Sequence, residues 1–347
     1  MKVSLASTSV HTKSASEAIS DLKPNAADLL ITSSLTSMVT DIGVVTPTAS
    51  GLLTYHDGKN NKTHTIDGYF VSPNKFEGND HEEHRISMTY GGHIETCRGG
   101  NTFAIPGIYK ILDHVYKNFA SIPLEILFEY PISIAKEGFN ITQTTKDYFV
   151  HSLVPLFSWH PVSKKTLNSL ISDGLDEGTV EFNQLANTYH YMSVNGFEDF
   201  YSGSIGQELI KTIDEEGGHA TYEDLNQYTL IEDSKFEFKY HDLTLIGHKG
   251  PSIGSLMVLN YLDAYNHNSN TDYGLQYPTR AIYAQYKALL LDPADDKFTF
   301  GGTDSDTVAS MFYDHANSAI DFNIGGTTEV RLQDGVFRPE SDNDVDL

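Results

Sequence analysis

A single cysteine, Cys97, stands in the 347 residues, so no intrachain disulfide forms and a cystine-stapled scaffold is excluded. No stretch reaches the ~18 apolar residues a membrane span needs. The first residues, Met1-Lys2-Val3-Ser4-Leu5-Ala6-Ser7-Thr8, hold no signal-peptide core. Together these predict a soluble, cytoplasmic protein with no membrane partner. Basic residues are few: 23 Lys and Arg stand against 47 Asp and Glu, a formal net charge of -24. A field of that sign repels phosphate backbones and anionic headgroups, so nucleic acid is not an expected partner. Its simplest role is solubility. The glycines form neither a G-x-G-x-x-G turn nor a P-loop, so nucleotide binding has no support and no cofactor is expected.

What is present is a folding composition. With 39% hydrophobic and 20% charged residues, the chain can bury a sizeable core, and its length leaves one or two domains open. Two clusters invite chemistry. Thr96-Cys97-Arg98-Gly99-Gly100 sets a cation beside a thiol, which lowers a thiol pKa, yet a lone cysteine reads more simply as structural than as a nucleophile. His81-Glu82-Glu83-His84 holds two imidazoles three apart, which would share a helix face and could bind a metal. No third ligand accompanies them, so the motif reads as a solvated charged loop and no metal is expected.

Patterning supplies the elements. Pro24-Asn25-Ala26-Ala27-Asp28 starts a helix that runs to Met38, with Thr32, Ser33, Thr36 and Ser37 allowing close approach of another layer. Leu52–His56 and Lys62–Asp67 flank Asp57-Gly58 as a hairpin. Residues 74–100 read as an irregular surface connection. Ile108, Ile111, Leu112, Val115, Tyr116 and Phe119 fall at helical spacing, and a second helix opens at Pro123 and ends at Gly138. Helices are also expected around residues 182–186 and from Ser204 to Glu216, and Thr221 with Asp224 makes a capping-box start. Residues 235–240 and 243–246 alternate as strands. The stretch 334–347 is acidic and reads as a mobile tail on a body of residues 1–333. Helices first, then strands in blocks, point to an α+β fold.

Several of these segments form an ordered series. Ala15-Ser16-Glu17-Ala18-Ile19, Pro24–Asp28, Gly43-Val44-Val45-Thr46-Pro47, Ser50-Gly51 and Ile66-Asp67-Gly68 come first. Ile105-Pro106-Gly107, Ala120-Ser121-Ile122-Pro123, Ala135–Phe139, Asn195–Gly203, Gly217-Gly218 with Thr221–Tyr228, Pro251–Ser255 and Leu291-Asp292-Pro293 follow. In this order and at these spacings they resemble the large subunit of the gamma-glutamyltransferase family of N-terminal-nucleophile hydrolases, over about nine tenths of the chain.

The resemblance implies a layered αββα fold, with a large helical portion, completed by a second chain. It also implies an amide hydrolase or acyltransferase acting on a small amide or gamma-glutamyl-like molecule. The nucleophile would be an N-terminal threonine of a partner small subunit, whose own amine serves as base, so no catalytic residue is expected in this chain. Asp67, Gly68 and Tyr69 are the implied substrate-binding residues. Thr327-Thr328-Glu329-Val330 is the only internal candidate for that threonine; cleavage there would leave about twenty residues, too few for half a layered fold, so it reads as linker and the chain reads as stopping short of the nucleophile. Three departures accompany the likeness. Gly51 passes straight to Leu52-Leu53-Thr54 without a glycine-rich run, Pro251-Ser252-Ile253-Gly254-Ser255 lacks a second glycine, and Tyr69 stands where the family has an arginine that holds the substrate carboxylate. Arg85 or Arg98 could replace that arginine. A non-catalytic relative serving in binding or assembly is the competing reading.

Overall fold

The computed structural model describes residues 9–74, 84–89, 94–141, 143–172, 179–233, 235–240, 242–249 and 259, and then 297–301, 308–314, 319–324, 327–333 and 336–339. Two compact units divide the chain, Met1–Lys235 and Phe236–Leu347.

In the first unit α1 (Val10–Ala18) and α2 (Ala26–Thr40) precede a hairpin of β1 (Gly51–Asp57) and β2 (Lys62–Gly68). A second hairpin, β3 (His84–Met88) with β4 (Ile94–Arg98), leads to α3 (Ile108–Phe119) and α4 (Leu124–Glu137). Next come β5 (Phe139–Asn140), α5 (Gln143–Tyr148), α6 (Val154–Phe157), α7 (Pro161–Ser172) and β6 (Thr179–Val180). The unit finishes with α8 (Asn183–Asn195), α9 (Asp199–Ser202), α10 (Ser204–Glu215), α11 (Tyr222–Asn226) and β7 (Ile231–Glu232). The order β1-β2-β7 makes a small antiparallel sheet with β2 in the centre.

Its core lies among α2, α4 and α8. Asn25 caps α2, accepting from the amides of Ala27 and Asp28, while the Asp28 carboxylate accepts from the Asn25 amide in return. The rest of that carboxylate reaches across the core edge: it accepts from the Ser121 amide (2.9 Å) and hydroxyl (2.6 Å) and from the Ile122 amide (3.1 Å). Two segments distant in sequence are joined by one side chain. Leu35, Ile31, Leu127, Phe128, Tyr189, Met192 and Phe197 are fully buried, and Phe128 meets the rings of Tyr189 and Phe197 at 5.4 and 5.5 Å. Each such side chain contributes on the order of 1.5–3 kcal/mol of burial.

The hydroxyl residues of α2 turn inward. Thr36 and Thr40 return their hydroxyls to carbonyls one turn back, and Thr32 donates to the Leu127 carbonyl at 3.2 Å. That carbonyl lies four residues before Pro131, inside α4, and proline has no amide with which to serve it. Thr32 supplies the missing donor from the neighbouring helix.

Among its described residues the second unit is almost all strand. β8 (Lys235–Tyr240), which begins at the unit boundary, pairs with β9 (Leu243–His248). A five-stranded antiparallel meander follows: β10 (Lys297–Gly301), β11 (Val308–Asp314), β12 (Ala319–Ile324), β13 (Thr327–Gln333) and β14 (Val336–Pro339).

Three expectations need correction. Residues 74–100 are not wholly irregular, because Ile86 and Met88 alternate with polar neighbours and pair with Thr96 and Ile94 in an antiparallel ladder. Thr327 and Thr328 are not linker: they open β13, paired to Ile324 and Asn323 on one side of the ladder's course. Residues 336–339, expected in a mobile tail, form β14; Gln333 pairs with Val336, and Asp334-Gly335, the pair favoured in two-residue hairpins, stands between them in the sequence.

Candidate functional site

The ladder fixes the end of β2. Asp67 is opposite Leu52 on one side and Ile231 on the other, and Gly68 is opposite Gly51. One Asp67 carboxylate oxygen accepts from the Tyr69 amide at 2.8 Å, which turns the chain as it leaves the sheet. The Tyr69 carbonyl accepts from the Tyr228 phenol at 2.8 Å. Burial first, and then the nearby Asp67 carboxylate, pushes the Tyr228 hydroxyl up to about 12. The phenol therefore stays protonated and remains a donor.

Beneath the strand end the backbone is packed without side chains between. A Cβ on Gly107 would lie 2.1 Å from the Gly68 carbonyl oxygen and 2.1 Å from the Tyr228 hydroxyl, so only glycine lets the start of α3 rest on β2. Pro106 presents its carbonyl to the Tyr201 hydroxyl (2.8 Å), which in turn accepts from the Lys110 amide (3.2 Å). The Lys110 ammonium pairs with Glu198 at 2.7 Å and sits 4.7 Å from the centre of the Tyr201 ring. Tyr201 and Tyr228 stack at 5.8 Å. Burial raises the Tyr201 phenol far above its ordinary value.

A further tie comes from α11. Thr221 and Asp224 form the expected capping box, and the other Asp224 oxygen accepts from the Asn74 amide at 3.0 Å. Burial works to raise the Asp224 carboxyl, but the bonds from Asn74 and Thr221 outweigh it and hold it below the usual range. Four segments of the sequence series, at 67–69, 105–107, 198–201 and 221–228, thus meet at one strand end.

The structure brings Asp67, Gly68 and Tyr69 together there. The Tyr69 side chain is 54% exposed, and Phe70 and Val71 beside it are also open. Of the two arginines proposed as substitutes, Arg85 faces Glu95 across the β3–β4 hairpin at 3.7 Å, and Arg98 lies over the Trp159 ring at 4.6 Å. Cys97 is exposed on β4. His81 is outside the described residues, and His84 opens a strand, so the shared helix face supposed for that pair is absent at His84. Among the described residues no group of three His, Cys, Asp or Glu could hold a metal, and no helix is long and apolar enough to cross a membrane. Tyr201 and Tyr228 fall within the series segments 195–203 and 221–228, but only the fold shows that they carry the strand end.

The gamma-glutamyltranspeptidase family model matches residues 21–310. The chain belongs to that family. Gamma-glutamyltranspeptidase relatives include glutathione hydrolase 5 proenzyme of Rattus norvegicus, 23% identical over 240 residues that cover 66% of this chain and 40% of the relative. Glutathione hydrolase 3 of Arabidopsis thaliana is 24% identical over 269 residues, 74% of this chain and 40% of the relative. This chain spans between 30% and 40% of the length of the first curated relatives it matches. Among solved structures, the gamma-glutamyltranspeptidase of Pseudomonas nitroreducens complexed with L-DON superposes with a TM-score of 0.66 at 16% identity, covering 82% of this chain and 84% of that one. The Helicobacter pylori gamma-glutamyltranspeptidase gives 0.66 at 19% identity, with 83% and 82% covered. The fold is that of the gamma-glutamyltranspeptidases, α+β as expected from the order of helices and strands.

Proposed function

We propose that this chain is the large-subunit portion of a gamma-glutamyltransferase-like threonine amidohydrolase or acyltransferase. The observation that carries the reading is the built strand end at Asp67-Gly68-Tyr69, which three other family-like segments support from below. A threonine nucleophile needs a free amine beside its hydroxyl to take the proton. Thr327 has its nitrogen in a peptide bond within β13, so the proposed nucleophile is the N-terminal threonine of a partner small subunit. Family membership supports that partnership and a small-molecule amide as substrate. In this reading the chain's own work is binding and orientation: the β2 end presents the acyl group to a nucleophile supplied from outside. With one cysteine and no need for an oxidising compartment, the proposed location is the cytoplasm.

Tyr69 sets the substrate class. An arginine fork grips a carboxylate with two charge-assisted hydrogen bonds, together worth roughly 1.5–3 kcal/mol, whereas a phenol offers one neutral donor. The preferred acyl group is therefore less anionic than glutamyl. The assembled enzyme is assayed with a gamma-glutamyl anilide and an uncharged acyl anilide, as wild type and as Tyr69→Arg. The uncharged compound should turn over faster in the wild type, and Tyr69→Arg should raise kcat/KM for the glutamyl compound by ~10- to 100-fold. Rapid wild-type turnover of the glutamyl compound, unimproved by the arginine, defeats the reading.

A further inference from the structure

The tip of β4 and the C-terminus of α10 line an open groove of about 380 Å³. Its shape follows from two glycines. Gly99 takes a positive φ of 104°, and the Gly100 amide donates to the Glu216 carbonyl at 3.2 Å. A Cβ on Gly100 would stand 2.5 Å from both the Gly218 nitrogen and the Ile213 carbonyl oxygen, so the hairpin is pressed directly onto the helix end. The preceding residue, Arg98, is thereby set in the groove wall, its guanidinium 4.6 Å from the centre of the Trp159 ring. Phe103, Leu156 and Ile213 supply an apolar lining.

The polar groups of the wall are unevenly occupied. Glu216 is paired with the His160 imidazole at 3.4 Å. The last carbonyls of α10 on this side are also taken, that of Thr212 by the Glu216 amide and that of Ile213 by the Gly218 amide. Arg98 has no carboxylate partner among the described residues. The guanidinium sits over the indole, and its N–H fork fits the two oxygens of one carboxylate.

We propose that this groove binds a small monocarboxylate with an apolar body, its carboxylate on the Arg98 edge and its hydrocarbon part against Phe103, Leu156 and Ile213. An added ammonium group gains little here, because the Glu216 carboxylate has the His160 imidazole 3.4 Å away and the helix-end carbonyls already accept backbone amides. The groove shares no residue with the acyl site proposed above and stands as a site whether or not that reading holds.

The chain carries its own reporters: Trp159 is its only tryptophan and Cys97 its only cysteine, and both line this groove. The full chain is titrated with 3-phenylpropanoate, 3-phenylpropanamide, phenylalanine and inorganic phosphate, following tryptophan emission and, separately, the rate of Cys97 alkylation. The propanoate should give a saturable emission change and slow the alkylation, with the amide bound about tenfold or more weakly, as loss of a charge-assisted pair requires. Arg98→Gln should weaken the propanoate by at least a similar factor and leave the amide unchanged. The comparison of acid with amide on the wild type decides the matter even if Arg98→Gln does not fold. Equal binding of acid and amide, tighter binding of phenylalanine than of the propanoate, binding of phosphate as tight as the propanoate, or a propanoate affinity unaltered by Arg98→Gln overturns the proposal.

Discussion

The phenol of Tyr228 donates to the carbonyl oxygen of Tyr69 at 2.8 Å, joining residues 159 positions apart at the point where β2 leaves its sheet. Tyr228→Phe removes that bond and leaves the ring free to stack on Tyr201. The expected loss is about 0.5–1.5 kcal/mol in a urea titration, the usual net value of one hydrogen bond. A denaturation midpoint equal to wild type would show that the tie contributes nothing.

High pH should find the same residue. The Tyr228 phenol is raised from an ordinary value of 10.0 to about 12, by burial and then by Asp67, and burial also raises Tyr109, Tyr189 and Tyr201. Between the unfolded and folded values the native state holds a proton that the unfolded chain has released, so stability falls as pH rises. The contribution is whole below about pH 10 and is lost as pH climbs through 12. Urea midpoints taken from pH 8 to 12 should decline from about pH 10 onward, and less steeply in Tyr228→Phe. Identical slopes in the two proteins would remove Tyr228 from the account.

At the acid end the sensitive group is Asp28. Burial works to raise its carboxyl, but the bonds from Ser121, Asn25 and Ile122 outweigh it and hold it below the ordinary value of 3.8. Its contribution is therefore present above that value and is lost as pH falls through the folded one. Asp28→Ala leaves the amides of Ser121 and Ile122 without their acceptor and should cost about 3 kcal/mol or more at neutral pH. Asp28→Asn, which retains one oxygen, should cost less and should flatten the acid side of the stability profile. A neutral-pH loss under ~1 kcal/mol for the alanine variant would contradict the burial argument.

Thr32 and Pro131 can be tested as a pair. Thr32→Val preserves shape but leaves the Leu127 carbonyl without a donor, at an expected cost of about 1–3 kcal/mol. Pro131→Ala restores an amide four residues on. In that background Thr32→Val should cost less, giving a coupling of ~1 kcal/mol in a double-mutant cycle. Strict additivity would mean that the hydroxyl does not serve the proline's missing bond.

These relationships mark where sequence reading stops. The helices around Asn25, Ile108 and Pro123 were legible because caps, a period near 3.6 and Gly138 act within a few residues, and Asp57-Gly58 announced the β1–β2 hairpin in the same way. The β3–β4 hairpin was obscured because exposed strands carry polar residues, so their alternation resembles a loop. The resemblance set Ile66-Asp67-Gly68 in a strand, and β2 does run to Gly68, with Tyr69 just beyond it. It could not show that Tyr201 and Tyr228 stand beneath them, since those bonds join residues about a hundred or more positions apart. Arg98 was legible as a candidate cation, but its partner Trp159 is set by packing and not by spacing.

The pairing of β2 with β7 sets an order on synthesis. Ile66 meets Glu232 and Asp67 meets Ile231, so one edge of β2 finds its partner only after some 165 further residues have been made. At ~5–20 residues per second this takes roughly ten to thirty seconds on the ribosome. Until then the emerging chain shows an open strand edge ending in Tyr69-Phe70-Val71, a ready template for pairing with another copy. The sheet of the second unit faces no such interval, because each of its strands pairs with the one just before it. A nascent chain stalled before residue 231 would therefore be the form most in need of a chaperone, and slowing translation across residues 70–230 should lower the yield of folded protein.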